Sequence, residues 1–420
     1  MAGKGGVETD GGAVVAGGAG RELRRGRVAL AAVFAVHGAV AGSFATRVPW
    51  IQEHAGITPG GLGLALACGA VGAATTMPLA GRISHRFGTR AALGGLMALW
   101  TLALALPAFS PGLPALCFAI FVYGATSGMA DVAMNALGVG IEEGLGRSIM
   151  SGLHGLWSVG TLLGSAVGTV AAHADVDARL HLGLAAAVLT VLGTVACQGV
   201  PVLRGDPDEQ PPPRFTLPPR SALLIGAVGF CAVFGEAAGL DWSAVYLRDA
   251  LGTAAGTAAA STTAFACAMA AARLVGDAVV ERFGAVRTVR GGGVLATAGG
   301  LLVVAAPDPV TAMGGFALIG LGVAVVVPLC FAAAGRSGPA PSQAIAGVAT
   351  ITYTAGLVAP SAMGSIADMT SLTVSFGVVA LLAFGLVPGA GVLRTEGRGA
   401  AGPAVPRTAE PAEGRAERKL

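Results

Sequence analysis

Gly81-Arg82-Ile83-Ser84-His85-Arg86-Phe87-Gly88-Thr89-Arg90 decides the reading of this chain, because its core occurs twice. The counterpart is Asp277-Ala278-Val279-Val280-Glu281-Arg282-Phe283-Gly284-Ala285-Val286-Arg287. Superposing the two Arg-Phe-Gly triplets offsets the copies by 196 residues. A second landmark, Phe118-Ala119-Ile120 with Gly124, returns as Phe316-Ala317-Leu318 with Gly322 at an offset of 198. Each Arg-Phe-Gly turn follows the second of six apolar segments, so the chain reads as two halves of one design.

Composition says where those segments sit. The 420 residues are 54% apolar and 12% charged, with a mean hydropathy of +0.73, whereas a soluble domain carries about 25% charged residues. Stretches 91–130, 180–203, 309–335, 337–367 and 369–393 contain no charge at all. A helix needs roughly 20 apolar residues to cross ~30 Å of hydrocarbon. The stretch 91–130 holds two such spans, with Ser110-Pro111-Gly112 as the turn between them. Lipid admits only helices or closed barrels, and these runs are continuously apolar rather than alternating, which favours helices. The 67 glycines fit close helix packing, but they do not by themselves assign an interface.

Twelve spans are expected, near 28–46, 61–80, 91–109, 113–138, 149–172, 180–200, 221–246, 256–280, 288–306, 311–334, 343–366 and 371–393. The domain reading is a disordered tail over 1–26, a six-helix bundle over 27–200 and a polar, Pro-rich linker over 201–220. A second bundle over 221–393 and a disordered tail over 394–420 follow. No signal peptide fits the N-terminus. With twelve spans both termini share a side. That side collects seventeen arginines and the other only Arg47, Arg179 and Arg248, so both termini are expected in the cytoplasm of a cell-membrane protein. The cysteines, Cys68, Cys117, Cys197, Cys231, Cys267 and Cys330, fall one per segment without a CxxC pair. They read as small buried hydrophobes, not disulfides or a metal site. The net charge of +3 is scattered over many loops and gives no case for nucleic acid.

The 6+6 plan, the central linker and the Arg-x-Gly-x-Arg type of loop between spans 2 and 3 resemble the major facilitator superfamily over about residues 27–393. The resemblance implies the all-α fold of two pseudo-symmetric six-helix bundles, alternating access to a central site, and gating by Arg86, Gly88, Arg90, Asp277, Glu281 and Arg282. That family has an Asp before the loop Arg; here His85 and Glu281 stand there. Asp131-Val132-Ala133-Met134-Asn135 in span 4 and Met150-Ser151-x-x-His154-Gly155-x-Trp157-Ser158-x-Gly160 in span 5 resemble the fucose-permease-like sugar transporters. So does Glu236-x(4)-Asp241-Trp242-Ser243-x-x-Tyr246-Leu247 in span 7. In that branch acids on spans 1 and 4 serve proton coupling and sugar binding. Asp131 can stand for the second, but span 1 offers only His37. The Gly-Pro pair of drug antiporters is absent from span 5, where Gly160-Thr161-Leu162-Leu163-Gly164 stands.

A charge at the bilayer centre costs at least ~2.5–3.5 kcal/mol, so intramembrane ionisable residues are functional candidates by default. Asp131 and Asn135 are one helical turn apart on one face, and with His154 and Trp157 they could form one cluster suited to a sugar and a proton. The alternative is an interhelical hydrogen-bond set that only fixes packing. Glu236 is a candidate proton site of the second half. Asp241 and Trp242 read instead as an interfacial anchor or a cap at the end of span 7. Arg273 either pairs with Asp277 or lines the cavity. His37 and Tyr353 each have a cavity-facing and a packing reading, and Pro360 lets span 11 bend. The chain has no GxSxG, HExxH or phosphate-loop motif, which excludes the enzymes those motifs mark and any nucleotide-driven pump. The expectation is a monomeric secondary carrier without cofactor or metal, moving a small polar organic solute, such as a sugar, by proton symport. The alternatives are proton-antiport efflux of a metabolite or drug-like compound, and a transporter-like sensor.

Overall fold

The computed structural model describes residues 10–146, 149–202, 220–336 and 341–394. The linker expected over 201–220 and the tail from 394 therefore lie almost wholly outside the described residues. In the first half the helices are α1 (Asp10–Ala45), α2 (Val48–Ala55), α3 (Pro59–Phe87), α4 (Thr89–Ala103), α5 (Leu113–Leu145), α6 (Met150–His173) and α7 (Ala178–Gln198). The second half has α8 (Arg220–Asp249), α9 (Ala255–Phe283), α10 (Ala285–Val304), α11 (Pro309–Val323), α12 (Val326–Ala334), α13 (Pro341–Met369) and α14 (Leu372–Gly389). The tail expected to be disordered over 1–26 is helical from Asp10, and the helix-forming run Arg21-Glu22-Leu23-Arg24-Arg25 feeds directly into the first span.

Among the described residues ten helical segments are long and apolar enough to cross a bilayer. The twenty residues of α10 and the twenty-nine of α13 stand where the other two expected spans fall. Arg287, Arg290 and a run of glycines dilute the hydropathy of α10, yet it packs between α11 and α14 as the ninth span should. The repeat is carried into the backbone: α3 and α9 are both 29 residues long and related by the 196-residue offset. Each stops at a glycine in the left-handed region, Gly88 at φ +81° and Gly284 at φ +78°. A Cβ would strain that conformation, so the turn is fixed by a single residue and both helices run on through the Arg-Phe pair.

Within each half the helices pack in the same order. α1 lies on α6, α3 on α5 and α4 on α7; the second half repeats this with α8 on α13, α9 on α11 and α10 on α14. The first of these seams shows why small residues are needed. A Cβ on Gly38 would strike the carbonyl oxygen of Trp157, and one on Gly160 that of Ala35, so the two backbones touch directly. Outward faces stay apolar: Leu180, Leu184, Val188, Val191 and Val195 form an exposed stripe on α7, which suits lipid rather than water. Of the cysteines expected to be buried, Cys197 and Cys330 are, while Cys267 is exposed.

Two details were not expected. The short helix α2 caps one end of the molecule between the first two spans, and the tenth span breaks at Ala324–Val325 into α11 and α12. The halves meet along two seams, α6 against α9 and α3 against α13.

Candidate functional site

Between the halves lies a cavity of about 330 Å³. From the first half α1 contributes His37 and Phe44, α4 Trp100, α5 Tyr123, Ser127 and Asp131, and α6 Trp157; from the second, α8 contributes Leu240 and Asp241 and α13 Gly356 and Pro360. His37, Trp100, Tyr123 and Phe44 form one run of ring contacts, with centroids 5.0, 4.2 and 4.8 Å apart in that order. Trp157 Nε1–H donates to His37 Nδ1 at 3.0 Å, so spans 1 and 5 are joined at the cavity wall as well as through their glycines.

A second polar group adjoins the cavity and shares Trp157 and Leu240 with it. Arg273 of α9 donates from Nη2 to both carboxylate oxygens of Glu236 on α8, at 2.9 and 3.1 Å. Its Nη1 donates across the seam to the Ser158 hydroxyl of α6 at 2.8 Å. Its Nε donates at 3.3 Å to the carbonyl of Ala324, which lies at the break between α11 and α12. The guanidinium also sits 5.8 Å from the Trp157 ring centroid. The two charged side chains are 16% and 21% exposed, so the pair is largely shielded from solvent.

The candidates read from sequence sort as follows. His37, Asp131 and Trp157 line the cavity, and Glu236 lies beside it. Asn135 donates to both the backbone carbonyl and the Oδ1 of Asp131, at 2.9 and 3.0 Å, so it serves the acid from one turn away. The expected single cluster of Asp131, Asn135, His154 and Trp157 is divided: His154 packs edge-on against Phe34 at 5.4 Å and sits in the field of Arg273 and Glu236. The side chain of Tyr353 lies outside the described residues. Arg273 pairs with Glu236, where sequence reasoning weighed Asp277, and one nitrogen, Nη2, reaches both carboxylate oxygens.

Asp241 and Trp242 require a correction. Asp241 is on the cavity wall, not an interfacial anchor, and Trp242 is only 1% exposed. The reach of α8 to Asp249 carries the helix three residues past the expected end at 246, so Asp241 lies about two turns inside it. Trp100, Tyr123 and Ser127 were missed altogether; they are ordinary members of apolar segments, and nothing in their spacing distinguishes them from core.

At the Arg-Phe-Gly end, Arg86 and Arg282 each lie over the ring of the following Phe, at 5.5 and 5.6 Å. Arg90 donates to the Val200 carbonyl at 2.7 Å, while Asp277, Glu281 and Arg282 are exposed. At the α2 end the halves are tied. Arg248 pairs with Glu53 at 2.6 Å, and Gln52 donates to Asp249 at 3.1 Å. Asp368 of α13 accepts from the Thr58 hydroxyl and the Gly60 amide, both at 2.9 Å, so the C-terminal end of α13 caps the N-terminus of α3 in the other half. None of these ties was visible in the sequence.

The Major Facilitator Superfamily model matches residues 30–237. An uncharacterized MFS-type transporter of Yersinia pestis is 34% identical over 342 residues, 79% of this chain and 86% of that protein. An uncharacterized transporter of Sinorhizobium fredii is 32% identical over 333 residues, 78% and 87% of the two chains. Among solved structures, the nucleoside transporter NupG superposes with a TM-score of 0.66 at 13% identity, covering 86% of this chain and 98% of its own. A D-xylose-proton symporter gives 0.68 at 13%, covering 87% and 97%. The transporter FucP in its outward conformation gives 0.61 at 16%, covering 88% and 98%. These structures share the fold, and they do not single out the fucose-permease-like branch suggested by spans 4, 5 and 7. The chain is a multi-pass membrane transporter, and it belongs to the major facilitator superfamily.

Proposed function

We propose that this protein is a secondary active carrier that takes up a small polar organic solute, such as a sugar, together with protons. The observation that carries the reading is the Glu236–Arg273 pair beside the central cavity, with Arg273 also bonded across the seam to Ser158. A proton on Glu236 would neutralise the partner of Arg273 and loosen its hold on the other half. Proton binding and movement of the halves would then be one event. Asp131, with Asn135 behind it, His37 and Trp157 are the solute contacts of the first half. Gly88 and Gly284, with Arg86, Arg90, Asp277, Glu281 and Arg282, act as the cytoplasmic gate.

Arginine placement supports both termini in the cytoplasm of the cell membrane, and the α2 end then faces outward. Its ties between halves correspond to a carrier closed to the outside. One chain supplies both halves and the whole cavity, so a monomer suffices. The test is reconstitution into sealed vesicles with an internal pH dye and a panel of sugars outside. Solute-dependent acidification of the interior supports symport, and Glu236→Gln should abolish it. A silent panel, with alkalinisation when drug-like compounds are placed inside, would replace uptake by efflux through proton antiport.

A further inference from the structure

The solute's charge class can be read from the cavity, on the reading that the cavity is the carrier's solute site. Its volume of about 330 Å³ lies at the small end of the roughly 300–1,000 Å³ typical of small-molecule pockets. Two carboxylates enter it from opposite halves, Asp131 on α5 and Asp241 on α8, and among the described residues no Lys or Arg lines it. Neither acid forms an ion pair among the described residues. Arg273, beside the adjoining pocket, is committed to Glu236, Ser158 and Ala324. The cavity therefore holds uncompensated acid in a setting of low dielectric, where an opposite charge is strongly favoured.

The aromatic wall points the same way. Phe44, Trp100, Tyr123 and Trp157 all line the cavity, and ring faces attract cations more strongly when the cation is desolvated.

We infer that the small polar solute this cavity takes bears one positive charge, an amino sugar being the simplest kind. Its ammonium compensates the carboxylates of Asp131 and Asp241 against the aromatic faces. A neutral sugar leaves the acids uncompensated, and a sugar acid adds a like charge.

The test measures binding to the purified full-length protein in detergent, by quenching of tryptophan fluorescence, at a pH where the amine is charged. The ligands are glucosamine, N-acetylglucosamine, glucose, glucuronate and serine. Glucosamine should bind at least about tenfold more tightly than N-acetylglucosamine, which keeps the ring and loses the charge. Asp241→Asn should shrink that gap and Asp241→Glu should keep it. Equal or tighter binding of glucose, glucuronate or serine overturns the inference. So does a gap unchanged in both Asp131→Asn and Asp241→Asn, or no binding of any ligand by protein that still melts cooperatively. Vesicle flux separates the two readings: glucose-driven acidification without a glucosamine response refutes the charge class alone, and glucosamine binding without flux of any solute refutes the carrier reading alone.

Discussion

Removing Arg273 alone should cost more than removing Arg273 and Glu236 together. In the wild type Glu236 receives two hydrogen bonds from one guanidinium, at 2.9 and 3.1 Å. Arg273→Met leaves the carboxylate in the wall with no cation. Breaking a buried pair this way costs about 3–5 kcal/mol, and the residual exposure of 16% and 21% screens part of it, so about 2–3 kcal/mol is expected. At roughly 2 °C per kcal/mol for a chain of this size, the melting temperature in detergent should fall by about 4–6 °C. Glu236→Gln strands a cation that still reaches Ser158 and Ala324, so its loss should be smaller. The double variant removes both charges and should melt within about 1 kcal/mol of wild type. The assay is a double-mutant cycle on thermal melting followed by intrinsic fluorescence. Single losses that add in the double variant to within about 0.5 kcal/mol would refute the pairing.

Two further substitutions probe the frame around the site. Asp368→Ala deletes the cap that α13 places on α3; being exposed, it is worth about 1 kcal/mol, and amide hydrogen exchange in α2 and the first turn of α3 should rise about fivefold, with an unchanged rate counting against a tie between the halves. Gly160→Val would drive a side chain into the backbone at Ala35 and should lower the melting temperature by the equivalent of about 1–3 kcal/mol or more. Gly95→Ala, in α4 with open space around it, should instead stabilise by about 0.5–1 kcal/mol, and equal melting of the two glycine variants would refute the close-packing argument.

The fold was legible because lipid makes demands that sequence cannot hide. A continuous apolar run of about 20 residues has one solution in a bilayer, and the repeated Arg-Phe-Gly turn places the same corner twice. Part of the candidate site was legible for a related reason: an acid or a histidine inside such a run is too costly to be accidental, which pointed to His37, Asp131 and Glu236, while His154, read the same way, packs on Phe34 away from the cavity lining. Asp241 was misplaced because hydropathy dates the end of a span by where polar residues begin, and a cavity-facing acid near that end looks like the surface. Trp100 and Tyr123 stayed hidden because an aromatic ring suits core, lipid and cavity equally. The partner of Arg273 depends on how α8 and α9 are rotated against each other, and spacing along one helix carries no such information.

The repeat also explains how such a molecule can switch. Span 5 corresponds to span 11 and span 2 to span 8, so the α6–α9 and α3–α13 seams are one contact made twice with the halves exchanged. Inside each half, seams such as α1–α6 bring backbone against backbone with glycines between them, and sliding them would create clashes. At the α2 end the halves are held by three polar ties, Arg248 to Glu53, Gln52 to Asp249 and the Asp368 cap, beside one close backbone approach of Gly63 on α3 to Pro360 and Gly364 on α13. Each polar tie has an exposed partner, Glu53, Asp249 or Asp368, and is worth about 1 kcal/mol or less. A few bonds of that size can be traded for others or for water. Two arrangements of the same rigid halves can then differ by only a few kcal/mol, the range in which a bound solute or proton can shift the population from one to the other.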